Sequence, residues 1–172
     1  MYSITVRNNI LIAHSLPGEV FGPAQNMHGA TYIVDAEFYA KEVNKYNIIM
    51  DLGVVTEILS NVLKFYSYKN LDEIEEFKNT ITSTEFLAKD IFDKISSKLQ
   101  KEYSEDYDKL HKIKIILTES NVAWASYEQK INEIKSILYL GHTIFDNFRN
   151  FLSTRLTKII YCQMIPYFSC IR

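Results

Sequence analysis

Apolar and polar residues alternate from the start of the chain. Ile4, Val6, Ile10 and Ile12 share parity, which predicts a strand over residues 2–14. Residues 15–27 contain Pro17, Gly18, Gly22 and Pro23 and read as a loop. From Thr31 to Phe38 strict alternation returns. Tyr32, Val34, Ala36 and Phe38 share one face, and Thr31, Ile33, Asp35 and Glu37 share the other, as in a half-buried antiparallel strand. After Asp51 the period changes. Val54, Val55, Ile58, Leu59, Val62 and Leu63 follow helical spacing, predicting a helix near 53–65. Residues 66–82 are polar and irregular.

Thr82 or Ser83 is placed to cap a second helix, with Glu85 in its first turn. Leu87, Ile91, Ile95 and Leu99 form its core stripe. The charged stretch 101–109 is expected to be a solvated connection. Ile113, Ile115 and Leu117 alternate as a strand, and Glu119 shares their parity. A carboxylate on that apolar side needs a partner. A short strand over residues 122–127 closes the pattern. From Gln129, the residues Ile131, Ile134, Leu138, Phe145, Phe148, Leu152 and Leu156 fit a long helix weakened at Gly141, followed by an aperiodic end. Strand, strand, helix, helix, strand, strand predicts an α+β domain with an antiparallel sheet. It spans residues 1–128, with a C-terminal helical extension over 129–172.

Composition narrows the function classes. A chain of 172 residues is long enough for one domain with a real core. Lys and Arg number 19 against 21 Asp and Glu, so bulk charge gives no reason to expect nucleic-acid binding. No apolar run approaches the length of a membrane span. The alternating start lacks the basic and apolar regions of a secretory leader. Cys162 and Cys170 are the only cysteines; they form no disulfide framework, and a cytoplasmic location is expected.

The candidate chemistry begins with His14 and His28, one at each end of the 15–27 loop. Two imidazoles on neighbouring strands are two-thirds of a three-histidine zinc site. Alone, they are more often ordinary polar strand-end residues. His111 and His142 fit no such pattern and are expected at the surface or in connections.

Six motifs in order carry a resemblance. They are Ile12-Ala13-His14, His28-Gly29, Met50-Asp51-Leu52-Gly53, Lys69-Asn70-Leu71-Asp72, Thr82-Ser83-Thr84-Glu85 and Thr118-Glu119-Ser120. The chain resembles the 6-pyruvoyltetrahydropterin synthase and 6-carboxytetrahydropterin synthase family over residues 2–128. The resemblance implies a T-fold, a four-stranded antiparallel sheet with two helices on one face. It implies a homo-oligomer with pockets between subunits. It also implies a lyase acting on 7,8-dihydroneopterin triphosphate, in tetrahydropterin or deazapurine-precursor (queuosine) biosynthesis, with zinc holding side-chain oxygens.

Position by position, His14 and His28 match the first two zinc ligands, while the third place holds Ala30. The catalytic cysteine position holds Ala24. The Asp-His pair falls on Ser67 and Tyr68. The pterin-reading positions are kept: Ser83, Thr84 and Glu85 at the second helix, and Glu119 to accept the 2-amino and ring N–H groups in a two-pronged contact. Glu85 equally suits a helix start without any ligand.

Glu19 lies in the loop where a substitute general base would sit, though a solvated loop carboxylate is the commoner role. Tyr68 offers a phenol, poor as a base near neutrality. Lys69 is the positional candidate for phosphate. The leading expectation is a divergent pterin-synthase-like lyase. The alternatives are a non-catalytic pterin-binding protein and a metal-independent, aldolase-like reaction.

Overall fold

A computed structural model describes residues 1–131. Met1–Ile131 forms one compact unit. The long helix expected from Gln129 onward therefore lies outside the described residues, except at its start. There Gln129 and Lys130 are strand, a correction to the expected boundary. His142, Cys162 and Cys170 also lie outside.

This unit contains β1 (Tyr2–His14), β2 (His28–Ala40), α1 (Leu52–Leu63), β3 (Lys69–Asn70), α2 (Thr84–Glu102), α3 (Ser104–Lys109), β4 (Leu110–Ser120) and β5 (Ala123–Lys130). The sheet order is β3-β1-β2-β4-β5. Four strands run antiparallel to their neighbours, as expected. The two-residue β3 adds a fifth, parallel to β1, which corrects the four-stranded expectation. β1 and β2 pair along their whole length, from Tyr2↔Ala40 to His14↔His28.

Alternation decides which face is covered. The inner face carries Val6, Ile10 and Ile12 from β1, Tyr32, Val34 and Phe38 from β2, and Ile113, Ile115 and Leu117 from β4, all buried. Against it lie Val55, Ile58, Leu59, Val62 and Leu63 of α1. Leu87, Ala88, Ile91, Phe92, Ile95 and Leu99 of α2 complete that layer. Each fully buried aliphatic or aromatic side chain contributes about 1.5–3 kcal/mol. The caps agree with the sequence. Asp51 Oδ1 accepts from the Val54 amide at 3.1 Å, and Ser83 Oγ accepts from the Phe86 amide at 3.3 Å.

On the opposite face, Arg7 grips Asp35 with two bonds, Nε to Oδ1 at 2.6 Å and its terminal nitrogen to Oδ2 at 2.8 Å.

The 101–109 stretch is mostly exposed, as expected, but it is helical rather than a plain connection. It holds the end of α2 and all of α3, which is tied down because Tyr107 is buried and its hydroxyl hydrogen-bonds Ser96 Oγ at 2.8 Å. The 15–27 loop is partly ordered as a 3-10 segment, Glu19–Gln25, kinked at Gly22. Residues 66–82 include β3 and 3-10 turns at Leu71–Glu73 and Glu75–Phe77. None of the described helices is long and apolar enough to cross a membrane.

Candidate functional site

The last residue of β1 faces the first residue of β2. Period-two alternation puts both on the inner face, so His14 and His28 meet where the core ends. Their ring centroids lie 4.7 Å apart, tilted by 56°. His14 is 1% exposed, and its Nδ1 lies 3.0 Å from Thr82 Oγ1. Burial, and then the neighbouring His28, lower the His14 pKa below its ordinary 6.5; the carboxylates of Asp72 and Glu119 oppose this. His28 is more open. Its Nδ1 lies 2.9 Å from the Asn26 carbonyl. A carbonyl only accepts, so Nδ1 carries the proton, and in the neutral ring Nε2 keeps a lone pair.

The opening of α2 supplies the next group. Thr82 reaches His14, whereas the Ser83 hydroxyl caps the helix. Thr84 Oγ1 donates to Glu119 Oε2 at 3.3 Å, and Tyr32 O–H lies 3.2 Å from Thr84 Oγ1. With Thr84 donating, Tyr32 is the donor to it, and the line runs Tyr32 to Thr84 to Glu119. Burial raises the Tyr32 pKa, so the phenol keeps its proton.

Glu119 has the parity of the buried β4 residues but lies beyond the core's edge, exposed. The β4–β5 register shifts between Thr118 and Ser120. Bulges of this kind re-aim a side chain, and here one falls on the carboxylate. Glu85 is exposed in the first helical turn.

Among the described residues, no hydrogen bond or ring contact joins the other candidates to the histidines. Glu19 is exposed on the 3-10 segment. Tyr68 is 84% exposed with a φ of 59°, and its amide donates to the Leu11 carbonyl at 2.7 Å. Positive φ is uncommon for a bulky residue; here it directs the chain into β3. Ser67 Oγ donates to the Leu63 carbonyl. Lys69 Nζ sits 5.0 Å over the Phe65 ring. His111, expected at the surface, is half-buried in β4, with Nδ1 enclosed and unpartnered among the described residues.

Sequence reasoning missed three groups. Tyr32 was legible from its parity with His28. Thr82 reads in the sequence only as a cap. Asp72, whose Oδ2 accepts from both the amide (2.9 Å) and hydroxyl (2.6 Å) of Ser15, lies too far away in sequence for any local pattern to reveal.

Zinc does not fit this donor set. Ala30 pairs with Ile12 and packs against the core. Among the described residues, no group of three or more His, Cys, Asp or Glu can hold a metal. Two imidazoles fall short of the three protein ligands of a catalytic zinc.

A family model described as 6-pyruvoyl tetrahydropterin synthase matches residues 3–130. The chain belongs to that family. A Drosophila melanogaster 6-pyruvoyl tetrahydrobiopterin synthase is 32% identical over 108 residues, which are 60% of this chain and 61% of that protein; the match thus spans less than two-thirds of the relative. The Caenorhabditis elegans 6-pyruvoyl tetrahydropterin synthase structure superposes with a TM-score of 0.63 at 23% identity, over 75% of this chain and 96% of that one. The Plasmodium vivax structure gives 0.62 at 13% identity, over 75% and 98%. At these identities the structures establish the T-fold. The histidine pair at the β1–β2 end and the α2 opening therefore belong to a 6-pyruvoyl tetrahydropterin synthase-type domain.

Proposed function

We propose that this chain is a divergent pterin-synthase-like lyase acting on the side chain of a 7,8-dihydroneopterin-type substrate. The supporting observation is the line from Tyr32 through Thr84 to Glu119, with the imidazoles of His14 and His28 paired at the same end of the sheet. Thr84 fixes one Glu119 oxygen, and the carboxylate then accepts the parallel N–H groups of a pterin edge, a charge-assisted contact. Glu85 borders the same helix start; Ser83 contributes through its backbone, because its hydroxyl caps α2. His28 Nε2, held as an acceptor, is the base available to the substrate side chain. His14, held neutral and fixed by Thr82, orients beside it.

Glu19 and Tyr68 enter this proposal only across an interface. Both are exposed, and they serve a pocket only if another copy supplies it, so homo-oligomerisation belongs to the same proposal. A cytoplasmic setting suits such a small-molecule enzyme. Zinc plays no step in it. The precursor pathway served, tetrahydropterin or deazapurine, follows from the product.

One observation favours a second reading, a non-catalytic pterin-binding protein: Ala24, Ala30 and Ser67 carry no acid, base or metal-ligating group. Incubating the purified chain with 7,8-dihydroneopterin and with its triphosphate, with and without added zinc, separates the two. Side-chain cleavage or triphosphate release that disappears in Glu119→Gln supports the lyase. An aldolase-like reaction gives cleavage without zinc. Saturable pterin fluorescence quenching with no product favours the binding protein, and no quenching overturns both.

A further inference from the structure

Tyr32 stands at the buried end of a hydrogen-bonded line whose other end is in water. It follows His28 and Ala30 on the inner face of β2 and is 1% exposed. Among the described residues its hydroxyl has one partner, Thr84 Oγ1 at 3.2 Å. Thr84 opens α2, and Glu119, which it meets at 3.3 Å, stands exposed near the end of β4. The line therefore joins β2, α2 and β4, which are brought together only by tertiary packing.

Its direction follows from the chemistry of the groups. An ionised carboxylate has no proton to give, so Thr84 donates to Glu119 and Tyr32 donates to Thr84. A lone threonine hydroxyl rotates and can turn its proton to any neighbour. With the phenol proton seated against Thr84 Oγ1, the Thr84 proton is left to point toward β4. Donation into a hydroxyl also strengthens the bond that the hydroxyl makes onward.

Glu119 is the group that gains. An exposed glutamate has much rotamer freedom to lose when it grips a ligand, and ordering it beforehand removes that cost from the binding step. Among the described residues, Thr84 is the one hydrogen-bond partner of Glu119, so whatever steadies Thr84 steadies the carboxylate. A buried phenol needs some partner, and a backbone carbonyl would satisfy it. Here the partner is instead a rotatable hydroxyl that reaches Glu119 directly.

We propose that Tyr32 is a positioning residue for pterin binding: through the Thr84 hydroxyl it holds the Glu119 carboxylate in the orientation that accepts the ring N–H groups, and it acts on the ligand only by that route. This rests on the pterin reading given above. The test is fluorescence titration of the full-length chain with 7,8-dihydroneopterin. Tyr32→Phe keeps the ring and removes one hydroxyl; it is expected to weaken binding about threefold to tenfold, the range of one net hydrogen bond. Thr84→Val is expected to weaken binding at least as much, whereas Thr84→Ser, which keeps the hydroxyl, stays within about twofold of wild type. In the Thr84→Val and Glu119→Gln backgrounds the line is already broken or has lost its carboxylate, so adding Tyr32→Phe is expected to change affinity by less than about twofold. The Thr84→Val cycle suffices where Glu119→Gln binds too weakly to titrate.

A folded Tyr32→Phe protein that binds as tightly as wild type overturns the positioning role. So does an equal loss from Tyr32→Phe in the wild-type and Thr84→Val backgrounds, because the hydroxyl would then act by another route. If Tyr32→Phe does not fold, equal affinities of Thr84→Val and Thr84→Ser overturn the role. In each case the pterin reading stands, because the probe still binds and Glu119→Gln still weakens it. Failure of the wild type to bind the probe overturns the pterin reading and the positioning role with it.

Discussion

Ala30→His restores the third imidazole that the strand-end pair lacks, and its effect can be worked out from the β1–β2 register. His14 faces His28, Ile12 faces Ala30, and all four lie on the inner face. Position 30 is the next same-face residue along β2, roughly 6.6 Å from position 28 at ~3.3 Å per residue. It is diagonal to His14, within reach of a long side chain. Tetrahedral zinc needs nitrogens ~2.0–2.1 Å from the metal, hence ~3.3 Å from one another. The existing rings, 4.7 Å apart between centroids, require only modest rotation.

The new ring has a cost. Ala30 is partly buried against the core, and overpacking of that kind costs about 1–3 kcal/mol. Zinc at a hundredfold excess over its Kd returns about 2.7 kcal/mol. For a chain of this size, with about 2–4 °C per kcal/mol, the variant should melt a few degrees lower without metal. Zinc should then raise its melting temperature by about 5–10 °C, against a negligible shift in the wild type. Metal analysis after dialysis should find one zinc per chain in the variant alone. Ala30→Asn serves as the steric control. A folded Ala30→His protein that neither retains zinc nor gains stability from it would refute the geometry. Stoichiometric zinc in the wild type would refute the claim that the donor set is incomplete.

Thr82→Val keeps the volume and removes the hydroxyl facing buried His14. It should cost about 1–3 kcal/mol in urea unfolding, the penalty for an unsatisfied buried group, while Thr82→Ser retains the bond; equal losses in the two would locate the effect in the methyl group. Glu119→Gln should weaken pterin binding at least about tenfold and leave the melting temperature within about 1 °C, since the carboxylate is exposed; unchanged affinity would remove it from the site. His14 binds fewer protons folded than unfolded between its lowered pKa and 6.5, so stability should fall as pH drops below 6.5. His14→Gln should flatten that part of the pH–melting curve, and an identical slope in both proteins would show that other groups titrate there.

Much of the fold was legible because a half-buried sheet and an amphipathic helix each impose a period. β1 and β2 alternate so strictly that their buried faces could be read, with His14 and His28 at the ends of neighbouring strands, and the parity of Glu119 already called for a partner. That partner is Thr84, delivered by the first turn of α2. β3 was invisible for the same physical reason. Two residues carry no period, and their pairing with Ile12 and Ala13 is set by tertiary packing. α3 was misread because its charges dominate the composition, whereas one buried aromatic, Tyr107, decides its conformation.

The site divides along the same line. Groups presented by a strand or a helix start were found in the sequence. Groups joined across long separations, His14 with Thr82 and Ser15 with Asp72, were not, because no local pattern records them. Those two contacts change the chemistry most. A three-histidine zinc site draws substrate oxygens to a cation. In this chain the third imidazole is a methyl group, the first is buried and neutral, and a carboxylate and a serine oxygen stand beside it as acceptors.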